Sequence, residues 1–120
     1  MQLEDLRIYK LAMEIGETIW SIVSKWDLTA KKTIGDQVAR SADSIAANIA
    51  EGYGRYYYKE NKLFCYYSRG SLLETKVWIT KAKSRGLIES EIADQLIEQL
   101  ETLHLQLNNY INTIGKNQTK

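Results

Sequence analysis

The chain has 120 residues, with 44% hydrophobic and 26% charged residues and a formal net charge of +1, the balance of a single globular domain that buries roughly two-thirds of what its unfolded chain exposes. One cysteine, Cys65, and one histidine, His104, exclude an internal disulfide framework and the common multi-cysteine zinc sites. No apolar run reaches the roughly 18 residues of a membrane span, the first twenty residues carry Glu4, Asp5, Glu14 and Glu17 where a signal peptide would be basic and then apolar, and a soluble, cytoplasmic protein without membrane partners is expected.

The absence of proline permits long helices. In the first segment Leu6, Tyr9, Met13, Gly16, Trp20, Val23 and Trp26 recur every three or four positions, widened by Ile8, Ile15, Ile19 and Ile22, and predict a helix over about 5–26. Residues 27–33 read as a connection, with Thr33 and Asp36 at the spacing of an N-terminal capping pair, before a second helix over about 34–53. Gly52 and Gly54 are able to adopt the left-handed conformation that ends a helix. A third helix, about 58–85, places Leu63, Tyr66, Tyr67, Gly70, Leu73 and Val77 on one side and is terminated by Gly86. The fourth, about 90–114, carries Ile92, Leu96, Leu100, Leu103, Leu107, Tyr110 or Ile111, and Ile114, with Ser90 as its cap. Short connections between long helices give antiparallel neighbours. The expected fold is all-α, one up-down-up-down antiparallel four-helix bundle over residues 1–120, with a frayed tail at 115–120.

The second helix carries two arcs. Ile34, Val38, Ala42, Ile45 and Ile49 form the apolar one; Gln37, Arg40, Ser41, Ser44, Asn48 and Glu51 form a polar one, built from short side chains that gain little from water. If the second and third helices pair about the Gly54–Arg55 turn, Ser44 opposes Gly70 and Arg40 approaches Glu74. The arc is then a polar seam inside the bundle or between subunits, with a serine-rich solvent face as the plain alternative.

Charge is segregated along the chain. Residues 52–85 hold eight basic and two acidic residues, whereas residues 86–120 hold two basic and five acidic ones. Six of the eight tyrosines, at 53, 56, 57, 58, 66 and 67, fall in the basic segment. Three consecutive tyrosines point in three directions, so they do not all enter one core. Aromatic rings interleaved with cations suit single-stranded nucleic acid, because bases stack on the rings and phosphates meet the cations. Arg55, Tyr56, Tyr57, Lys59 and Lys62 are the candidate contacts. Subunit packing and idle surface are the other readings of the same tyrosines. Lys76, Lys81, Lys83 and Arg85 read as a solvated face.

Nothing in the chain forms a catalytic constellation. Glu101-Thr-Leu-His104 matches one Glu-x-x-His motif of di-iron bundles, but a second histidine is lacking. Cys65 has no histidine at helical spacing to activate it. No catalytic residue, metal site or cofactor is expected.

The run Gln37-Val-Ala-Arg40-Ser-Ala-Asp-Ser44-Ile-Ala-Ala-Asn48-Ile-Ala-Glu51-Gly52, followed by Arg69-Gly70-Ser-Leu-Leu-Glu74, with Leu3–Lys10 and Gly86-Leu-Ile, resembles the bacterial four-helix bundle proteins encoded in intervening sequences of 23S ribosomal RNA. The resemblance implies a homopentamer without known catalytic activity. Through its superfamily it also implies similarity to accessory variability proteins of diversity-generating retroelements, which serve a reverse transcriptase and its RNA. Tyr56, Tyr57 and Tyr58 depart from the family, where these positions are polar or basic. Two functions follow as expectations: an oligomeric, non-enzymatic module binding RNA or a ribonucleoprotein, or a protein scaffold with a partner such as a reverse transcriptase.

Overall fold

The computed structural model describes residues 1–116. After a turn of 3-10 helix at Leu3–Asp5, the chain forms α1 (Arg7–Val23), α2 (Asp36–Tyr53), α3 (Tyr58–Ser84) and α4 (Ser90–Thr113). These make a four-helix bundle 54 Å long and 23 × 20 Å across, and among the described residues there is no strand. Of the expected tail, residues 115 and 116 form a turn in which Gly115 packs beside the Tyr58 ring; residues 117–120 lie outside the described residues.

The helix containing α2 starts earlier than the sequence suggested. Asp27, in extended conformation, accepts a hydrogen bond from the Ala30 backbone N–H at 2.9 Å and opens a helical turn at Leu28–Ala30. The chain continues through a π-helical segment, Lys31–Gly35, directly into α2. Thr33 is therefore no cap; its hydroxyl donates back to the Thr29 carbonyl at 2.9 Å. At α4, Glu89 occupies the cap position without a side-chain bond and Ser90 is already helical.

Two glycines also differ from expectation. Gly54 ends α2 at φ −80°, and Gly52 has no positive φ either. Gly52 is needed for a close approach: a Cβ there would lie 2.7 Å from Asn61 Oδ1, 2.9 Å from the Asn61 carbonyl oxygen and 3.0 Å from Phe64 Cβ. The positive φ that permits a reversal is at Gly86, +73°, between α3 and α4.

The core is lined by Ile8, Ala12, Ile15 and Ile19 of α1, Val38, Ala42, Ile45 and Ile49 of α2, Cys65, Leu72, Ile79 and Ala82 of α3, and Ala93, Leu96, Leu100, Leu103, Leu107 and Ile111 of α4. On α4 the expected stripe is the buried one, except that Ile92 lies outside and Ala93 inside. On α1, Met13 and Trp20 face solvent. On α3 the expected side is the wrong side. Leu63, Tyr66, Tyr67, Gly70, Leu73 and Val77 are exposed, and Cys65, Ser68, Leu72, Thr75 and Ile79 point inward. Both α3 sets repeat every three or four residues, roughly half a turn apart. The inward set wins because its small side chains let α3 lie close to α2, with which it packs most extensively.

Candidate functional site

The polar arc of α2 meets α3 at its buried edge. Ser41, almost fully buried, lies with its hydroxyl 2.9 Å from that of buried Thr75, and Thr75 donates to the Ser71 carbonyl at 2.8 Å. One step along, the buried Ser68 hydroxyl donates to the Ile45 carbonyl at 2.8 Å, across the helix pair. Asn48 is half-buried and its amide donates to the Ser44 carbonyl at 2.9 Å. These groups satisfy one another, as buried polar groups must. Ser68 and Thr75 were not picked out from sequence. The rest of the arc lies at the margin or outside: Ser44 is half-buried, and Gln37, Arg40 and Glu51 are exposed. Ser44 does not pack against Gly70, since a Cβ on Gly70 would meet nothing within 4 Å. Nor do Arg40 and Glu74 pair; the Glu74 carboxylate accepts from the Trp78 ring N–H at 3.0 Å.

Arg69 turns the other way, towards α4. Its guanidinium donates to Asn108 Oδ1 at 2.7 Å and lies 5.1 Å from the centre of the Tyr66 ring. It belongs to a ladder: Lys76 reaches Glu101 at 3.6 Å and Lys83 reaches Asp94 at 2.7 Å. Arg69, Lys76 and Lys83 recur at seven-residue intervals, and so do Asp94, Glu101 and Asn108 in the opposite direction. This is the flanking-charge arrangement of an antiparallel coiled-coil seam. The opposite charges of the two segments thus serve in part the α3–α4 pairing: on the solvated face, Lys76 and Lys83 reach carboxylates of α4. At roughly 0–1 kcal/mol each, such exposed pairs set register more than stability.

At the elbow between α2 and α3 the candidate nucleic-acid residues do gather, with one exception. Tyr56 is 87% exposed and Tyr57 62% exposed, their rings edge to face at 4.9 Å. Lys59 is exposed on the first turn of α3, and Lys62, half-buried, follows one turn on. Neither has an ion-pair partner among the described residues. Arg55 is engaged within the chain: it binds Glu51 at 2.9 Å, approaches Glu60 at 3.9 Å and lies 4.7 Å over the Phe64 ring. It braces the elbow and keeps little charge for a phosphate.

Burial pushes the Cys65 thiol up to about 11, which leaves it protonated and unreactive. Among the described residues no three His, Cys, Asp or Glu side chains converge to hold a metal ion, and no helix is long and apolar enough to cross a membrane.

Comparison with curated proteins finds no match. Among solved structures the fold is similar to the crystal structure of a protein of unknown function from the S23 ribosomal protein family of Bacteroides thetaiotaomicron, with a TM-score of 0.77 and 18% identity over 88% of this chain and 99% of that one. At that identity the likeness speaks for the fold alone. The sequence itself matches the model of the 23S rRNA-intervening sequence protein over residues 4–109, a span that contains the seam, the elbow and the whole charge ladder. The chain belongs to the 23S rRNA-intervening sequence protein family.

Proposed function

We propose that the protein is a non-enzymatic, self-associating bundle, a homopentamer as the family resemblance suggests, whose α2–α3 elbow binds single-stranded RNA or a ribonucleoprotein. The observation that carries this reading is the pair of outward Tyr56 and Tyr57 rings beside Lys59 and Lys62, which have no ion-pair partner among the described residues. Two exposed rings offer stacking faces, each worth roughly 1–3 kcal/mol per base, and the lysines add a salt-sensitive attraction for phosphate. Arg69, Lys76 and Lys83 are engaged by α4, which favours the elbow over the middle of α3 as the RNA contact. Repetition of the elbow in an oligomer supplies avidity.

The test is fluorescence anisotropy of a labelled single-stranded RNA at about 50 and 200 mM salt. Tyr56→Ala with Tyr57→Ala is expected to weaken binding by at least roughly 30-fold at both salts, about 1 kcal/mol or more for each ring. Lys59→Ala with Lys62→Ala reduces the salt slope. Arg55→Ala has a smaller effect than either pair. Absence of binding at low salt, or indifference to the tyrosines, overturns the reading.

A second reading has its own support. Leu63, Leu73 and Val77 are exposed on α3, and aliphatic side chains suit a protein partner better than RNA. A protein-interaction scaffold, with a reverse transcriptase as the partner suggested by the retroelement accessory proteins, takes precedence if RNA binding fails and a partner protein is retained by the α3 face.

A further inference from the structure

Lys59, Lys62, Leu63 and Tyr66 fall within roughly a 100° arc of the first turns of α3. With Glu60 they line an open concavity of about 520 Å3, inside the range of about 300–1,000 Å3 typical of small-molecule sites. Leu63 is 43% exposed and Tyr66 45% exposed, so the core uses up neither. Lys59 and Lys62 have no ion-pair partner among the described residues. The acid in the concavity, Glu60, stands 3.9 Å from the Arg55 guanidinium, so its charge is answered within the chain.

The Tyr66 ring is held from one side. The Arg69 guanidinium lies over it, 5.1 Å from the ring centre, and is itself fixed by Asn108 Oδ1 of α4 at 2.7 Å. Arg69 comes one turn further along the helix, whereas every other residue of the concavity precedes Tyr66. An anchored cation on one face fixes the orientation of the ring and leaves its other face to the concavity as a preorganised stacking surface.

The combination selects its ligand. A carboxylate or a free phosphate would use the lysines and leave the ring idle; a neutral aromatic would do the reverse. A nucleotide engages both. Tyr66 stands about 13 Å along the helix axis from Tyr57, with Lys59 and Lys62 between them in the sequence. The order ring, cation, cation, ring is that of a single-strand path, with bases on the rings and phosphates beside the cations. Beyond Gly70, Leu73 and Val77 line a separate concavity with Lys76, Thr80 and Lys81 that offers no ring, so the path ends at Tyr66.

We infer that the concavity before Tyr66 is a second stacking site, which takes one unpaired nucleotide of a strand bound at the elbow. The base lies on the free face of Tyr66 over Leu63, and its phosphate lies beside Lys59 and Lys62. This rests on the RNA-binding reading above and extends it by giving the strand a direction, from the elbow along α3. Arg69 is here a positioning residue: it holds the ring and leaves the phosphate to the lysines.

The test is fluorescence anisotropy of a labelled oligouridylate of about ten nucleotides, within the site sizes common for single-strand binders, with the wild type, Tyr66→Ala, Tyr66→Phe, and Tyr56→Ala with Tyr57→Ala. Circular dichroism verifies folding and light scattering the mass of each protein. Tyr66→Ala is expected to weaken binding by roughly 5-fold or more. The factor is the same at about 50 and 200 mM salt, because no phosphate contact is lost. Tyr66→Phe keeps the stacking face and binds like the wild type. Full affinity in Tyr66→Ala, with loss on removal of the elbow tyrosines, overturns this site and leaves the elbow reading intact. Loss in Tyr66→Ala that Tyr66→Phe fails to rescue, or that comes with a change of mass, also overturns it, since the ring then serves a hydrogen bond or a protein contact. Loss in Tyr66→Ala with indifference to Tyr56 and Tyr57 upholds this site and overturns the elbow. A wild type that binds no oligouridylate at the lower salt removes both.

Discussion

The seam between α2 and α3 makes a quantitative prediction, because its hydroxyl pair is almost closed to water. Ser41 is 4% exposed and Thr75 fully buried. Each hydroxyl has one proton, and Thr75 spends its own on the Ser71 carbonyl at 2.8 Å. Ser41 therefore donates to Thr75 at 2.9 Å, with the Val38 carbonyl at 3.2 Å as its reserve acceptor. Thr75→Val nearly preserves shape but deletes both Thr75 bonds. A buried hydrogen bond is worth about 1 kcal/mol net, and stranding its partner costs about 1–3 kcal/mol. Here the Val38 carbonyl takes up the Ser41 proton, so the total belongs at the low end, about 1–2 kcal/mol. Ser41→Ala leaves Thr75 bonded to Ser71 and costs about 0.5–1 kcal/mol. In the double variant no hydroxyl remains to be stranded, so its cost stays close to that of Thr75→Val alone. At about 4 °C per kcal/mol for a domain of this size, thermal melts followed by circular dichroism resolve these differences. They should show about 4–8 °C lost for Thr75→Val, about 2–4 °C for Ser41→Ala alone, and for the pair a further loss of less than half that of Ser41→Ala alone. Strict additivity of the two single losses would refute the reasoning, since it would mean that the hydroxyls do not act together.

Three further outcomes follow from the packing. Gly52→Ala forces a Cβ into the Asn61 backbone and is expected to cost about 1–3 kcal/mol, whereas Gly54→Ala, with nothing closer than 3.7 Å, leaves the melting temperature within about 2 °C, a contrast that chemical denaturation measures directly. The Cys65 thiol, buried and raised to about 11 from an ordinary 9.0, keeps its proton in the fold when the unfolded chain has lost it; stability is thus intact below pH 9 and falls, by roughly 1–3 kcal/mol, as pH rises towards 11. That part of the pH slope disappears in Cys65→Ala, and the native thiol reacts with a disulfide reagent only at the rate of unfolding. Lys83→Glu places a carboxylate against Asp94, 2.7 Å from the lysine it replaces, and costs about 0.5–1 kcal/mol; adding Asp94→Lys restores most of the loss, and about 1 M salt shrinks both effects.

Much of the bundle was legible in the pattern of apolar residues, and the errors came from helices with two such patterns. On α4 there is one stripe, Leu96 to Ile111, and it is the core. On α3 the larger residues, Leu63, Tyr66 and Leu73, drew the assignment to the exposed side, while the true core side mixes Cys65, Ser68 and Thr75 with Leu72 and Ile79. The seven-residue recurrence of Arg69, Lys76 and Lys83, mirrored by Asp94, Glu101 and Asn108, was the available corrective. It marks the flank of α3 that faces α4 and so fixes which side turns inward. The seam was half legible: short polar residues on α2 signalled close packing, but Ser68 and Thr75 looked like ordinary helix residues until α3 was oriented. The Asp27 cap lay in a stretch read as a connection, because Thr33 and Asp36 mimic a capping pair inside a continuous helix. The elbow tyrosines were legible because no helix start can bury three adjacent rings. The diversion of Arg55 to Glu51 and Phe64 was not, since it depends on the angle at which α3 leaves the turn.

The outward side of α3 differs from what this fold tolerates elsewhere. On α4 the exposed side carries Glu91, Gln95, Glu98 and Thr102, with Ile92 and Leu105 as isolated exceptions, and scattered apolar residues of that kind need no explanation. On α3, four apolar side chains and a glycine align on the outward side over fifteen consecutive residues. Gly70 lowers helix stability by about 1 kcal/mol relative to alanine, yet no neighbour within the chain needs the space it leaves. Within the monomer that cost has no return. A second helix lying along the stripe would give it one, because the missing Cβ at the midpoint would let two backbones come close. Gly70→Ala therefore separates the two settings, stabilising the isolated subunit while weakening any assembly that uses this face.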